Sequence, residues 1–349
     1  MRRGAILNQL SSGENGDWEK VALRGPRHHG IASRLRNWAG RRKHGMAGRK
    51  KGTVGVVGLG IMGGAFARNL AEAGWRVLGF DIDPARRRAL AKAGVEIMPD
   101  TATLARSAPV IITSLPSPQA LDAVVAEITG AKLPSRVVIE ASTFTLADKF
   151  RAERALKKAG HVPLDCPISG TGSQAAVKDL VVYASGDKKT IARLKPMFLG
   201  FSRAIHDLGA FGNGSRMKYV ANLLVAIHNV ASAEAMVLGM KSGLDPQQIF
   251  DLVKIGAGNS RVFELRAPMM VKGNYDDATM KIKIWQKDMD VIGAHAKALG
   301  VPTPLFSATM PVYENAMATG HAMHDTAAVC AVLEKQARVR RAGKRRKAR

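Results

Sequence analysis

From residue 53 onward, short apolar runs alternate with longer segments of helical period. The first run, residues 54–57, leads into a glycine-rich turn, and the residues after it place apolar side chains at helical spacing. A second run ends at Asp81, and further short runs follow, each bounded by turn residues. Such alternation over about 150 residues predicts an α/β domain built on a doubly wound parallel sheet. The later predicted strands are residues 76–80, 110–114, 136–140, 161–164, 181–184 and 204–207.

After Gly214 the pattern is helical throughout. Residues 219–240 are strongly apolar, but Asn222 and Glu234 interrupt the run, so it predicts a long buried helix and no transmembrane span. Further helices are predicted at residues 261–272, 279–299 and 307–319. The chain therefore divides into a basic, disordered extension (1–52), an α/β domain (53–214), an all-helical domain (215–334) and a basic tail (335–349).

The turn after the first strand has the spacing G-x-G-x-x-G. Gly58 permits the tight turn, Gly60 lets a pyrophosphate approach the backbone, and Gly63 lets the helix lie close to the strand. Asp81 ends the next strand about 20 residues on, where an acid binds the ribose hydroxyls in Rossmann-type domains. The sequence thus predicts a dinucleotide site formed by Asp81 and by the turn residues Gly58, Leu59, Gly60, Ile61, Met62 and Gly63.

Composition and charge are consistent with the predicted dinucleotide-binding domain. The formal net charge of the 349 residues is +25, but residues 1–52 carry 13 Lys and Arg against three acids, and residues 335–349 carry nine against none. The body is left mildly basic, as suits an enzyme that handles anions, while the tails could contact a polyanion. Two cysteines, Cys166 and Cys330, form no disulfide framework or metal motif, so a reducing compartment such as the cytoplasm is expected, with no metal site.

Lys218 and Asn222 share one face of the predicted long helix because they are four residues apart. Alone, such a pair is usually solvated. Three loops that follow predicted strands, residues 115–116, 142–143 and 165–171, point into the crevice beyond the carboxyl ends of the sheet.

Four motifs resemble those of the β-hydroxyacid dehydrogenase family, whose best-known members act on 3-hydroxyisobutyrate and whose cofactor domain is related to that of 6-phosphogluconate dehydrogenase. They are G-L-G-I-M-G-G-A-F-A-R-N-L from Gly58, D-C-P-I-S-G-T from Asp165, G-N-G-S-R-M-K-Y-V-A-N from Gly212 and K-D-M-D from Lys287. The motifs occur in the family's order over residues 53–334, and both tails lie outside them.

The resemblance implies an oxidoreductase that transfers a hydride between nicotinamide and a short β-hydroxy acid or its semialdehyde. Lys218 would be the acid/base, and Ser169, Gly170 and Asn222 would hold the substrate carboxylate. NAD is expected to be preferred because Asp81 would repel the 2′-phosphate of NADP, although Arg86, Arg87 and Arg88 could favour NADP. The nicotinamide end of the cofactor would be lined by Leu115, Pro116, Thr143 and Lys287.

Two residues depart from the family pattern. Thr171 replaces a second glycine after Ser-Gly, and Leu146 replaces the proline of S-T-x-x-P. The bulk and hydroxyl of Thr171 predict a preference for 2-hydroxylated acids such as glycerate or threonate. The resemblance also implies a homodimer or homotetramer. The alternative is a non-catalytic dinucleotide-binding scaffold whose basic tails bind nucleic acid.

Overall fold

The computed structural model describes residues 51–341, and the first half of these forms a nine-stranded sheet. The strands are β1 (Thr53–Val57), β2 (Arg76–Phe80), β3 (Glu96–Ile97), β4 (Val110–Thr113), β5 (Val137–Glu140), β6 (Val162–Asp165), β7 (Ile168–Ser169), β8 (Val181–Gly186) and β9 (Ala204–Asp207).

The first six strands are parallel and lie in the order β3, β2, β1, β4, β5, β6. The order reverses at β1, where the chain leaves towards β2 and later returns on the other side as β4. Ligands of doubly wound sheets bind at this switch point, beyond the carboxyl ends of the strands.

Helices cover both faces of the sheet. They are α1 (Ile61–Glu72), α2 (Pro84–Ala91), α3 (Thr101–Ser107), α4 (Pro118–Gly130), α5 (Leu146–Lys158), α6 (Gly172–Ala176) and α7 (Lys188–Phe198). Two hydrophobic cores result. Val56 and Ile112 pack on one side with Phe66 of α1, while Ile111 and Val138 pack on the other with the residues of α3 to α5. The structure therefore confirms the predicted doubly wound α/β architecture.

The sheet is not parallel throughout, because β8 runs antiparallel to both β6 and β7. Leu164 pairs with Gly186 and Ile168 with Val182, so β6 and β7 keep one continuous register along β8. Pro167 separates them because it has no N–H to donate to the ladder. Residues 165–171, predicted as a loop, are thus partly a strand, and Ser169 ends the first strand of the β7–β8 hairpin, which faces the second half of the chain.

The second half is helical. Its helices are α8 (Asn213–Lys241), α9 (Pro246–Val253), α10 (Arg261–Lys272), α11 (Ile282–Ala298), α12 (Pro304–Ala316) and α13 (Val329–Gln336). Helix α8, 29 residues long, packs against each of the other five, and Ala226, Val230 and Met236 contribute to a separate core.

Within residues 51–341, only α8 is long and apolar enough to span a membrane by composition, which is weak support for a membrane protein because core helices share these properties. No cluster of three or more His, Cys, Asp or Glu side chains in this range could hold a metal ion. Nearly all of the predicted extension (1–52) and residues 342–349 of the predicted tail lie outside the described residues.

Candidate active site

The turn after β1 fits a dinucleotide phosphate. A Cβ at Gly58 would lie 2.2 Å from the carbonyl oxygen of Ser114, and a Cβ at Gly63 would lie 1.9 Å from the carbonyl oxygen of Gly58. Neither position has room for a side chain, because backbone atoms pack directly against both glycines. Over Gly60, by contrast, a Cβ would meet only the flexible side chain of Arg86, at 3.5 Å. Helix α1 begins there without a side-chain cap, so its first N–H groups can face an anion.

Asp81, at the end of β2, is held beside this turn. Its carboxylate accepts hydrogen bonds from the backbone N–H groups of Leu59 (2.7 Å) and Asp83 (2.8 Å). A guanidinium nitrogen of Arg86 lies 3.3 Å from the same carboxylate. The amide of Leu59 thus orients Asp81, and Arg86 is the cation in contact with the expected ribose-binding acid.

The predicted nicotinamide loops meet at the ends of β4 and β5. The backbone N–H of Leu115 donates to Ser142 Oγ (2.8 Å), which ties one loop to the other, while Pro116 is exposed. Lys287 of α11 donates from Nζ to the carbonyl oxygen of Thr143. Three distant parts of the sequence are therefore brought together.

Lys218 lies in the second turn of α8 with only 9% of its surface exposed. Its Nζ donates to the carbonyl oxygen of Ile168 at 2.6 Å, which ties the lysine to the β7–β8 hairpin. Burial lowers the pKa of Lys218 to about 8, although the negative charge of Asp288 opposes this and Lys287 adds to it. A lysine with this pKa can both accept and donate a proton near neutral pH.

Asn222 lies one turn after Lys218. Its Nδ2 donates to Asp288 Oδ2 at 2.9 Å, and the other oxygen of Asp288 lies 2.9 Å from Lys287 Nζ. Buried Asp288 therefore joins the predicted substrate amide to the predicted cofactor lysine. Asp288 was not among the predicted site residues, although it directly follows Lys287 in the K-D-M-D motif.

A cavity of about 690 Å³ opens between the hairpin, α8 and α10. All five residues predicted to act on substrate line it: Ser169, Gly170, Thr171, Lys218 and Asn222. The predicted cofactor residues lie outside its lining, at the sheet edge. At the cavity wall Asp179 lies 2.8 Å from Nε of Arg203 and 3.4 Å from a terminal nitrogen of Arg261. Nothing in the sequence indicated this cluster, because its members lie on separate elements.

Thr171 has a role that the sequence analysis did not predict. It is the N-cap of α6, and its hydroxyl lies 2.9 Å from Ser173 Oγ and 3.3 Å from Gln174 Oε1. The side chain thus lines the cavity while its hydroxyl is engaged in its own turn.

Two family models divide the chain between them. The NAD binding domain of 6-phosphogluconate dehydrogenase matches residues 53–209, and the NAD-binding domain of NADP-dependent 3-hydroxyisobutyrate dehydrogenase matches residues 212–333. An L-threonate dehydrogenase of Cupriavidus necator is 31% identical over 80% of this chain and 95% of its own. A probable 3-hydroxyisobutyrate dehydrogenase of Mycobacterium tuberculosis is 29% identical over 82% of this chain and 99% of its own.

Solved structures agree with these relatives. A 3-hydroxyisobutyrate dehydrogenase from Salmonella typhimurium has a TM-score of 0.74 and 30% identity over 80% of this chain and 99% of its own. The 3-hydroxyisobutyrate dehydrogenase of M. tuberculosis, solved with L-serine, has a TM-score of 0.72 and 28% identity over 80% of this chain and 98% of its own. With a nicotinamide-dinucleotide domain, a helical partner half and NAD(P)-dependent hydroxyacid dehydrogenases as relatives over nearly its whole described length, the chain belongs to the β-hydroxyacid dehydrogenase family.

Proposed function

We propose that this protein transfers a hydride between NAD(H) and a short β-hydroxy acid or its semialdehyde, with Lys218 as the acid/base. The observation that carries the proposal is the buried amine of Lys218 at the wall of the cavity, one turn from Asn222 and with its pKa lowered to about 8. This position favours an enzyme over the alternative, a non-catalytic scaffold, because ionisable groups with shifted pKa values cluster at functional sites.

A bound nicotinamide would take a hydride from the carbinol carbon or return one to the carbonyl carbon. During oxidation, neutral Lys218 would accept the hydroxyl proton, and in the reverse direction its ammonium form would donate a proton to the carbonyl oxygen. The carbonyl of Ile168 accepts one hydrogen of Nζ and so fixes the position of the amine.

The substrate carboxylate would be held by the hydroxyl of Ser169, the backbone near Gly170 and the amide of Asn222. One N–H of Asn222 is committed to Asp288, and its second N–H remains for the substrate. Hydrogen bonds to a carboxylate are stronger than those between neutral groups, so a substrate without its acid group should lose most of its turnover efficiency.

The pH dependence tests this mechanism. For oxidation of a three- to five-carbon hydroxy acid by NAD, kcat/KM should rise about tenfold per pH unit and level off above the Lys218 pKa of about 8, because the neutral amine is the base. For reduction of the semialdehyde it should fall above the same pH. Initial rates, measured in a series of buffers with a panel of acids and with their semialdehydes, give the pH dependence of kcat/KM in both directions. A wild-type protein that binds NADH yet turns over no panel member would instead support the scaffold.

Among the panel we propose a preference for 2-hydroxylated acids, glycerate or threonate, over 3-hydroxyisobutyrate. The extra bulk of Thr171 beside Gly170 supports this, and so does the likeness to L-threonate dehydrogenases.

Thr171→Ser tests the bulk without removing the cap, because serine keeps the hydroxyl that Ser173 and Gln174 contact. Loss of the methyl group should shift the ratio of kcat/KM values towards the branched acid by about 1–3 kcal/mol, the range for one methylene in a pocket. Competition assays with both acids measure the ratio. An unchanged ratio would show that the methyl of Thr171 does not contact the substrate.

We also propose that NAD is preferred over NADP. Asp81 can accept both ribose hydroxyls, and Arg86 is engaged by Asp81 and, at 3.4 Å, by Asp83. Arg86→Ala would remove the cation beside Asp81, so the NAD/NADP ratio of kcat/KM should rise by about tenfold, as expected for one lost charged hydrogen bond. Arg88→Ala, on the same helix, is the control and should leave the ratio unchanged, because it is Arg86 that pairs with Asp81 and Asp83. A ratio below unity in the wild type would contradict the proposal.

We also propose an oligomeric state, a compartment and a role for the basic termini. Exposed apolar side chains of the helical half, among them Leu238, Leu252 and Leu305, support a homodimer or homotetramer formed through these helices. The buried, free thiols of Cys166 and Cys330 suit the cytoplasm. The basic termini would contact polyanions and leave catalysis to residues 53–334.

A further inference from the structure

Lys149 is a fully buried lysine that the mechanism does not use. It lies on the apolar face of α5, and its side chain is 0% exposed. Its Nζ donates to the carbonyl oxygen of Ser142 (2.7 Å), to Asp165 Oδ1 (3.0 Å) and to Glu140. Burial lowers the pKa of Lys149, but attraction to Asp165 and Glu140 outweighs burial and raises the pKa above its ordinary value. Lys149 is therefore a fixed cation between the ends of β5 and β6.

Through Asp165, this cation reaches the first turn of α8. Helix α8 begins at Gly212, which has no side chain to cap it, so its first N–H groups need partners from elsewhere. Ser185 Oγ accepts from the N–H of Gly214 at 3.0 Å. Asp165 accepts from both the N–H and the hydroxyl of Ser215, each at 2.8 Å. Lys218, the proposed acid/base, follows Ser215 by three residues.

Through Ser142, the same cation reaches the cofactor loops. The carbonyl of Ser142 accepts from Lys149, while its hydroxyl accepts from the backbone N–H of Leu115. The next residue, Thr143, accepts from Lys287. One ammonium group thus contacts both the loop expected at the nicotinamide and the acid that caps the helix of Lys218.

We infer that Lys149 is a positioning residue for hydride transfer, which fixes the first turn of α8 against the loops that follow β4 and β5. The inference rests on the proposed function. Without the ammonium group, Glu140 and Asp165 would be two buried carboxylates with no cation, so one of them would become protonated. A protonated or displaced Asp165 could no longer accept both hydrogen bonds from Ser215, and α8 would shift with Lys218 on it.

Lys149→Met, which keeps the length of the side chain without its charge, tests this inference. Lys157→Met is the matched control, because Lys157 lies on the same helix but is exposed and pairs only within α5, with Glu153. In Lys149→Met, kcat for the best acid of the panel should fall by about 100-fold, the effect of a displacement near 1 Å, while the KM for NAD changes far less. Its pH profile should also move away from that of the wild type, whereas loss of stability alone would leave the profile unchanged.

Hydrogen exchange of the backbone, followed by mass spectrometry, needs no turnover. Peptides covering residues 211–222 should exchange about tenfold faster in Lys149→Met than in Lys157→Met, because hydrogen bonds at the start of α8 are weakened. If the wild type proves inactive but this difference is seen, the proposed function fails and the positional role of Lys149 stands.

Wild-type kcat, pH profile and exchange in Lys149→Met would overturn the inference. Should that variant not fold, Ser215→Ala replaces it, since it removes one hydrogen bond to Asp165 without burying a new charge. Ser215→Ala should then lower kcat by about tenfold with faster exchange at residues 211–222. Wild-type kinetics and exchange in Ser215→Ala would likewise overturn the inference.

Discussion

Replacement of Lys218 by alanine is expected to lower kcat by about 10²–10⁴-fold, the contribution of a positioned acid/base group. The loss should be in kcat and kcat/KM, because the proton transfer takes place in the transition state. Affinity for NAD should change little, because Lys218 hydrogen-bonds to the carbonyl oxygen of Ile168 in the β7–β8 hairpin and not to the turn after β1. Steady-state kinetics measure kcat and kcat/KM, and titration of intrinsic fluorescence with NAD measures the affinity for NAD.

Two companion variants make this test specific. Lys218→Arg keeps the positive charge but not the base, because a guanidinium stays protonated at every working pH, so it should be nearly as impaired as the alanine variant. Lys241→Ala removes the lysine at the far end of the same helix and should behave as wild type. Wild-type turnover in Lys218→Ala would mean that the proton is transferred elsewhere.

Gly63→Ala is expected to abolish most cofactor binding. The added methyl group would lie 1.9 Å from the carbonyl oxygen of Gly58, and because that atom belongs to the backbone of the turn, the start of α1 must move. Overpacking of this kind lowers the free energy of unfolding by about 1–3 kcal/mol. A similar loss in binding would raise the Kd of NAD by about 5- to 140-fold, since 1.4 kcal/mol is a factor of ten.

Gly130→Ala is the control for Gly63→Ala. It makes the same chemical change near the end of α4, where a Cβ would meet no atom within 4 Å. Calorimetric titration with NAD should therefore show wild-type affinity for Gly130→Ala. If Gly63→Ala also kept wild-type affinity and melting temperature, the close contact between α1 and β1 would not be needed for binding.

The fold could be predicted from the sequence because its signals are local. The run from Val54 to Val57, the glycines of the turn and the caps at Asp83 and Ser117 each act within a few residues. The antiparallel course of β8 could not be predicted, because apolar patterning does not show in which direction two strands pair. Periodicity predicts that a strand exists but not its neighbour.

Only those residues of the candidate site that lie in motifs could be predicted from the sequence. The motif resemblance predicted roles for Lys218 and Lys287 but not for Lys149. Lys149 lies on the buried face of its helix, and no motif indicates that its ammonium group forms ion pairs there. Asn222 and Asp288 are 66 residues apart in sequence, and Thr143 and Lys287 are 144 apart. Contacts of that separation depend on packing, which composition and spacing do not specify.

Because Ser169 and Gly170 lie before the start of α8, while Lys218 and Asn222 lie on it, any exchange of gene segments at residues 208–212 separates the two halves of the site. A chimera with a relative would take the hairpin proposed to hold the substrate carboxylate from one parent and the helix of the proposed acid/base from the other. Asp165 and Ser185 on one side, and Ser215 on the other, are the residues that such parents must share for the halves to dock. If the proposed roles hold, recombination at this point exchanges substrate preference between members of the family and leaves the acid/base lysine in place.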